Sequence, residues 1–213
     1  MEVTRRGWPL PAPTVGLLGG SFNPAHEGHR WISQQALALL GLDQIWWLVS
    51  PQNPLKPSAG MAQHTDRIAH ARGVAAHPRI VVTGLEAELG TRYTVDTLAA
   101  LTRRFPRTRF VWLMGADNLV QVSRWQRWPQ IFHAVPVAVF DRGSYSRSAA
   151  WAKSARRFAR QRMLEHACQG LARHSPPRWV LLHIPRHPAS GTALRARGYT
   201  LNQTPSAVSA NQE

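Results

Sequence analysis

Apolar residues along this chain fall into short continuous runs, separated by longer stretches in which they recur every three or four positions. Thr14-Val15-Gly16-Leu17-Leu18 is such a run, broken off by Gly19-Gly20, and it predicts a buried parallel strand. From about Gly28 to Leu40 the spacing changes: Trp31, Ile32, Ala36, Leu39 and Leu40 predict an amphipathic helix, stopped by Gly41. Ile45 to Val49 is a second buried run, closed by Ser50-Pro51. Strand, loop, helix, strand is a βαβ unit with a right-handed crossover. The alternation continues with helices over Thr65 to Ala76 and Thr94 to Arg104, and strands at Ile80 to Thr83, Arg109 to Met114, Val135 to Phe140 and Trp179 to Ile184. The expectation is an α/β fold, a Rossmann-like doubly wound parallel sheet with helices on both faces. Ligands of such sheets bind beyond the carboxyl ends of the strands, so the loops there are where chemistry is sought.

Three stretches stand outside this alternation. Residues 1–13 carry three prolines and read as an irregular lead-in, ahead of a single domain over 14–200. Residues 201–213 are small and polar and read as a disordered tail. Tyr145 to Arg173 sets Trp151, Ala155, Phe158, Ala159, Met163, Ala167 and Leu171 against Lys153, Arg156, Arg157, Arg160 and Arg162. That pattern predicts one amphipathic basic helix, whose basic side is a solvated face or a surface for nucleic acid or membrane.

Composition narrows the classes. With 213 residues, 44% of them apolar, the chain can bury one sizeable core. A single cysteine, Cys168, excludes an intrachain disulfide and a Cys-based zinc site, and its apolar neighbours Ala167 and Leu171 mark it as a packed thiol. No run of about 18 apolar residues is present, and the first residues lack the apolar core of a signal peptide, so a cytoplasmic protein is expected. The net charge of +15 points to anionic partners. Nucleotides and nucleic acids both qualify, so charge alone does not choose between an enzyme and a nucleic-acid binder.

The candidate chemistry begins directly after the first strand. Gly19 and Gly20 let main-chain N–H groups approach an anion, and Ser21, Phe22, Asn23, Pro24, Ala25, His26, Glu27, Gly28 and His29 lead into the helix. A helix N-terminus favours negative charge, and two imidazoles spaced by three share its entry, so the segment suits a triphosphate. Neither a Gly-x-Gly-x-x-Gly nor a Gly-Lys-Ser/Thr pattern is present. A His-x-x-His zinc site would need a third ligand, and none is evident nearby.

Further blocks follow in order: Asn53-Pro54-Leu55-Lys56-Pro57, Tyr93-Thr94-Val95-Asp96-Thr97-Leu98, Gly115-Ala116-Asp117-Asn118-Leu119 with Trp125, and Ser190-Gly191-Thr192-Ala193-Leu194-Arg195. Together with the Gly19 to His29 segment they resemble the nucleotidylyltransferase superfamily, and within it the bacterial nicotinate-nucleotide adenylyltransferases, over most of residues 14 to 197. Each block also makes physical sense by itself. Asp117 follows a strand and offers a ribose acceptor or, equally, a helix cap. Ser190, Thr192 and Arg195 open a helix with hydroxyls, free N–H groups and a guanidinium for phosphate. Trp125 sits in Ser123-Arg124-Trp125-Gln126-Arg127-Trp128, too polar a setting to bury both indoles, and its ring suits stacking on a pyridine. Lys56 and Arg142, in loops after strands, are cations for an acceptor phosphate or solvated side chains.

The resemblance implies transfer of the adenylyl group of ATP to nicotinate mononucleotide, with Mg²⁺ bridging phosphate oxygens. It assigns Gly19, Gly20, Ser21, Phe22, His26, His29, Gly115, Asp117, Ser190, Thr192 and Arg195 to ATP. It assigns Lys56, Thr94, Val95, Trp125, Gln126 and Arg142 to the acceptor, and catalysis to His26, His29 and Arg195. No dedicated protein cage for the metal is evident. Asn23 stands where Asp is common and Gly191 where a second Ser is common, and the closing strand and helix after Arg195 are expected to be shortened or absent. Nicotinamide mononucleotide and phosphopantetheine remain alternative acceptors, the latter disfavoured by the Tyr93 block and Trp125. A nucleic-acid binder built on this fold is the rival from another class and the less favoured one; assembly into a homo-oligomer stays open.

Overall fold

The computed structural model describes residues 12–51, 61–141, 143, 146–185, 187, 189, 194 and 201. In chain order it contains β1 (Thr14–Gly20), α1 (Glu27–Leu40), β2 (Gln44–Val49), α2 (His64–Ala75), β3 (Ile80–Thr83), α3 (Leu85–Glu88) and α4 (Thr94–Arg104). There follow β4 (Arg109–Gly115), α5 (Ala116–Gln121), α6 (Trp128–Ala134), β5 (Val137–Asp141), α7 (Ser146–Ala150), α8 (Lys153–Arg157), β6 (Arg162–Met163) and β7 (Trp179–His183). The strands form one sheet in the order β3-β2-β1-β4-β5-β7-β6, every neighbouring pair parallel.

The alternation within each strand explains why this sheet needs cover on both sides. Leu18, Ile45, Trp47, Val49, Val111, Leu113, Ala138, Phe140, Val180 and Leu182 face one core, which α1 and α2 close. Val15, Leu17, Leu48, Phe110, Trp112, Met114, Val137, Val139, Trp179 and Leu181 face the other, closed by α4, α5, α6 and α8. Period-two alternation between two apolar layers is what makes the strands read as unbroken apolar runs. The chain leaves β1 toward β2 on one side and later enters β4 on the other. Between β1 and β4 the winding therefore reverses, which opens a crevice at their carboxyl ends.

Two expectations are corrected. On α1, Leu37 is buried and Leu39 is 37% exposed, so the apolar stripe runs through Ile32, Ser33, Ala36, Leu37 and Leu40. The single basic helix over Tyr145 to Arg173 is not formed; the described part is α7, α8, short 3-10 turns and β6. Tertiary partners override the helical pattern here. The Trp179 indole N–H donates to the Phe158 carbonyl at 2.7 Å, and the Phe158 ring stacks on Phe132 at 4.5 Å. Arg162 and Met163 then turn extended and pair with Trp179 and Val180, covering an otherwise open sheet edge. Trp151, expected on an apolar face, is 78% exposed. Cys168 is buried as expected, and burial raises its thiol pKa above the ordinary value.

Candidate active site

The crevice is floored by the end of β1. A Cβ at Gly19 would stand 2.5 Å from the tip of the Trp112 ring on neighbouring β4, so the backbone lies too close to that indole for any side chain. Beyond Gly20 the chain turns through Phe22, whose φ of +47° is the left-handed region that most residues avoid. The Phe22 ring is buried, stacked on Trp47 at 5.0 Å and tilted against the His29 ring at 4.7 Å. What Phe22 can offer a ligand is therefore its main chain.

His26 caps α1 and His29 is its third residue; both are half-buried, with ring centroids 3.8 Å apart. The His26 backbone N–H donates to His29 Nδ1 at 3.2 Å. An amide can only donate, so Nδ1 must accept, and the proton of the neutral ring is carried on Nε2. The His29 carbonyl accepts from the Ser33 hydroxyl at 2.9 Å, and Ser33 accepts from the buried Trp47 indole at 2.8 Å. The imidazole pair thus stands on a platform fixed from the core, which preorganises it at a helix N-terminus.

Sequence reasoning missed the support behind this cradle. On α2, His64, Arg67 and His70 recur every three residues, and all three hydrogen-bond backbone carbonyls: Val49 for His64, Ala25 for His70, and four separate carbonyls for Arg67. The signal was the spacing itself, three nitrogen-rich side chains on one helical face.

Opposite the cradle lies the start of α4. Thr94 and Val95 are its first two residues, and Tyr93, in extended conformation, makes no side-chain cap. The geometry of a helix start leaves the N–H groups of Thr94 and Val95 without intrahelical acceptors. Arg127, with φ of +47°, pairs with Asp96 at 2.6 Å and so ties the Trp125 segment to α4. Trp125 is half-buried and Gln126 exposed. Trp128, three residues further along the same motif, is the buried indole of the pair. At the end of β4, Gly115 caps α5 and the Asp117 carboxylate folds back against it, without a side-chain cap.

Pro51, Glu86, Thr91 and Arg92 line a cavity of about 250 Å³ among the described residues. Glu86 accepts from Thr97 Oγ1 at 3.4 Å, and the Thr97 and Thr91 hydroxyls lie 2.9 Å apart. Burial raises the Glu86 carboxyl from 4.5 to about 7, with the Thr97 hydroxyl pulling the other way. The folded protein therefore holds a proton between those values that the unfolded chain has released, so this stabilisation is full below the lower value and lost as pH rises through the upper. Glu86→Gln cannot ionise. It is expected to exceed the parent in stability by about 1–2 kcal/mol at pH 8 and to lose that margin near pH 4.5. Thermal melts at both pH values check this, and an equal margin at both would contradict it.

Lys56, Arg142, Ser190, Thr192 and Arg195 lie outside the described residues. Ala189, which precedes the Ser190 block, sets its carbonyl against the α1 entry, 2.6 Å from where a Cβ on Gly28 would stand. The Trp31 indole of α1 donates to the Pro185 carbonyl at 3.0 Å and holds the same segment there.

A family model described as cytidylyltransferase-like matches residues 17–197. Curated relatives share half of their residues with this chain. One from Parvibaculum lavamentivorans is 50% identical over 196 residues, covering 92% of this chain and 98% of the relative. Others from Cereibacter sphaeroides and Methylorubrum extorquens are 50% identical, each covering 86% of this chain and respectively 97% and 99% of the relative. All three bear the name "Probable nicotinate-nucleotide adenylyltransferase". The chain belongs to the cytidylyltransferase-like family, among the nicotinate-nucleotide adenylyltransferases. The fold agrees. Two Plasmodium falciparum nicotinic acid mononucleotide adenylyltransferase structures, one complexed with APC and one with NaAD, superpose with TM-scores of 0.62 and 0.63 at 15% and 16% identity, each covering 86% of this chain and 83% of theirs. Among the described residues no helix of this family member is long and apolar enough to cross a membrane.

Proposed function

We infer that this chain transfers the adenylyl group of ATP to nicotinate mononucleotide, giving nicotinate adenine dinucleotide and pyrophosphate. The observation that carries the reading is the His26 and His29 pair, rings tilted against each other with centroids 3.8 Å apart on a helix entry beyond the end of β1, in a chain half identical to relatives of that name. The acceptor's phosphate monoester is already ionised near neutral pH. One of its oxygens forms the new bond to the α-phosphorus in line with the bond to the β-phosphate oxygen, which breaks and leaves as pyrophosphate. No enzyme nucleophile and no strong base is required, so catalysis is placement and charge stabilisation.

In this reading His29 Nε2–H and the His26 ring donate toward the α- and β-phosphates, with the Gly19 to Phe22 backbone alongside. Asp117 and Gly115 receive the adenosine, and the Ser190, Thr192 and Arg195 block receives the outer phosphates. Trp125 stacks on the nicotinate ring, Thr94, Val95 and Gln126 hold its polar edge, and Lys56 and Arg142 meet the acceptor's phosphate. The metal of this reading is Mg²⁺ carried on the nucleotide's own phosphates. Mg²⁺ bound in that way would neutralise phosphate charge.

The reading is tested by product formation: ATP, Mg²⁺ and nicotinate mononucleotide should yield the dinucleotide and pyrophosphate in equal amounts. Trp125→Ala should raise the KM for nicotinate mononucleotide about 10–100-fold, the usual worth of one ring stacked on an aromatic side chain, with the KM for ATP little changed. Steady-state titration of each substrate decides it; an unchanged acceptor KM removes Trp125 from the site.

A further inference from the structure

Arg67 is 1% exposed, and among the described residues no carboxylate forms an ion pair with it. A guanidinium in that position is costly unless its N–H groups are satisfied. Four of its five are. Nε donates to the Ala62 carbonyl at 3.0 Å, Nη1 to the carbonyls of Ser21 and Ser50 at 2.7 Å each, and Nη2 to the Pro51 carbonyl at 2.8 Å. These carbonyls belong to three separate pieces of chain: the turn after β1, the corner after β2 and the lead into α2.

Two consequences follow from peptide geometry. In a trans peptide the C=O and N–H point opposite ways. With the Ser21 carbonyl drawn onto the guanidinium, the N–H of Phe22 faces away from it, and that N–H belongs to a residue whose ring is committed to the core. The same guanidinium holds Pro51, which is part of the wall of the cavity shared with Glu86, Thr91 and Arg92. One planar side chain therefore sets both the turn that carries the phosphate cradle and the corner that borders the space facing α4.

We propose that Arg67 is a positioning residue for adenylyl transfer: its guanidinium fixes the phosphate turn at Ser21–Phe22 relative to the Ser50–Pro51 corner, and so fixes the two substrates relative to each other. The inference rests on the adenylyltransferase reading above. A single ammonium cannot reproduce it, because it lacks the fork that reaches four carbonyls in one plane. Misplacement of reacting groups falls on turnover more than on the affinity of either substrate taken alone.

The test uses the full chain with Arg67→Lys, Arg67→Met and Arg67→Ala, each compared at a temperature where its melting curve shows it folded. Turnover of wild-type protein with ATP and nicotinate mononucleotide is the control; if that fails, the functional reading fails and not this inference alone. With wild type active, all three variants are expected to lose at least about tenfold in kcat while KM for each substrate shifts less than kcat does. Added guanidinium ion should restore part of the kcat of Arg67→Ala and none of that of Arg67→Met, whose side chain fills the space. Lysine supporting full turnover would overturn the proposal. So would variants whose kcat is normal once folded, or an Arg67→Ala protein that guanidinium leaves unchanged.

Discussion

His29→Ala is expected to lower kcat about 10²- to 10³-fold, the usual effect of removing one preorganised donor from a transition state, and to change the KM for ATP far less. The reason lies in what the ring is held by. Its Nδ1 accepts from the His26 N–H, its ring lies tilted against Phe22 and His26, and its carbonyl accepts from Ser33, so the imidazole is held in place for charge that grows during transfer, with Nε2–H as the proposed donor. Alanine also removes the acceptor of the His26 N–H, which loosens the helix entry by about 1 kcal/mol. His29→Gln separates the two effects, since glutamine at the third helical position can still accept from the capping residue. Both variants should share the loss in kcat, whereas only alanine should show the loss in stability. A glutamine variant with near-normal kcat would take the imidazole out of the mechanism.

Gly28→Ala is expected to cut kcat/KM about a hundredfold while the fold survives. A Cβ at Gly28 would stand 2.6 Å from the Ala189 carbonyl oxygen and 2.9 Å from His26 Nδ1. The first is backbone and the second is a ring already packed against His29, so the added methyl must drive apart the α1 entry, the His26 ring and the segment leading to Ser190. Helix propensity by itself favours alanine over glycine by about 1 kcal/mol, which offsets part of the strain. Loss of turnover without matching loss of stability is thus the signature of a close approach at a site. Gly73→Ala on α2 is the control. Nothing lies within 4 Å of a Cβ there, so activity should be unchanged and the melting temperature equal or higher. Equal activity of Gly28→Ala and wild type would show that the His26 ring can move without consequence.

The sheet was legible in the sequence because a strand buried on both faces leaves no polar gaps. Val15 and Leu17 serve one core and Gly16 and Leu18 the other, so the run reads as continuous, and β3 and α4 were placed to the residue. The crevice was legible because the glycines after the apolar run mark the carboxyl end of β1 and the change to helical spacing marks the helix entry beyond it. Arg67 was not, since a charged residue that satisfies carbonyls inside the protein has the same helical spacing as one that points to water. Nor was the link between Trp125 and Thr94: Arg127 meets Asp96 across 31 positions, and nothing local announces it. The stretch from Tyr145 to Arg173 misled for the opposite reason. Its helical periodicity is present, but the Trp179 indole, the Phe132 ring and the open edge of β7 offer its residues better partners than a helix does.

The acceptor that takes the adenylyl group distinguishes this enzyme from its relatives most directly. With purified protein, ATP and Mg²⁺ in separate reactions with nicotinate mononucleotide, nicotinamide mononucleotide and phosphopantetheine, pyrophosphate release should show the highest kcat/KM with nicotinate mononucleotide. Highest kcat/KM with either of the others would contradict the assignment of the acceptor, and silence in all three would contradict the adenylyltransferase itself.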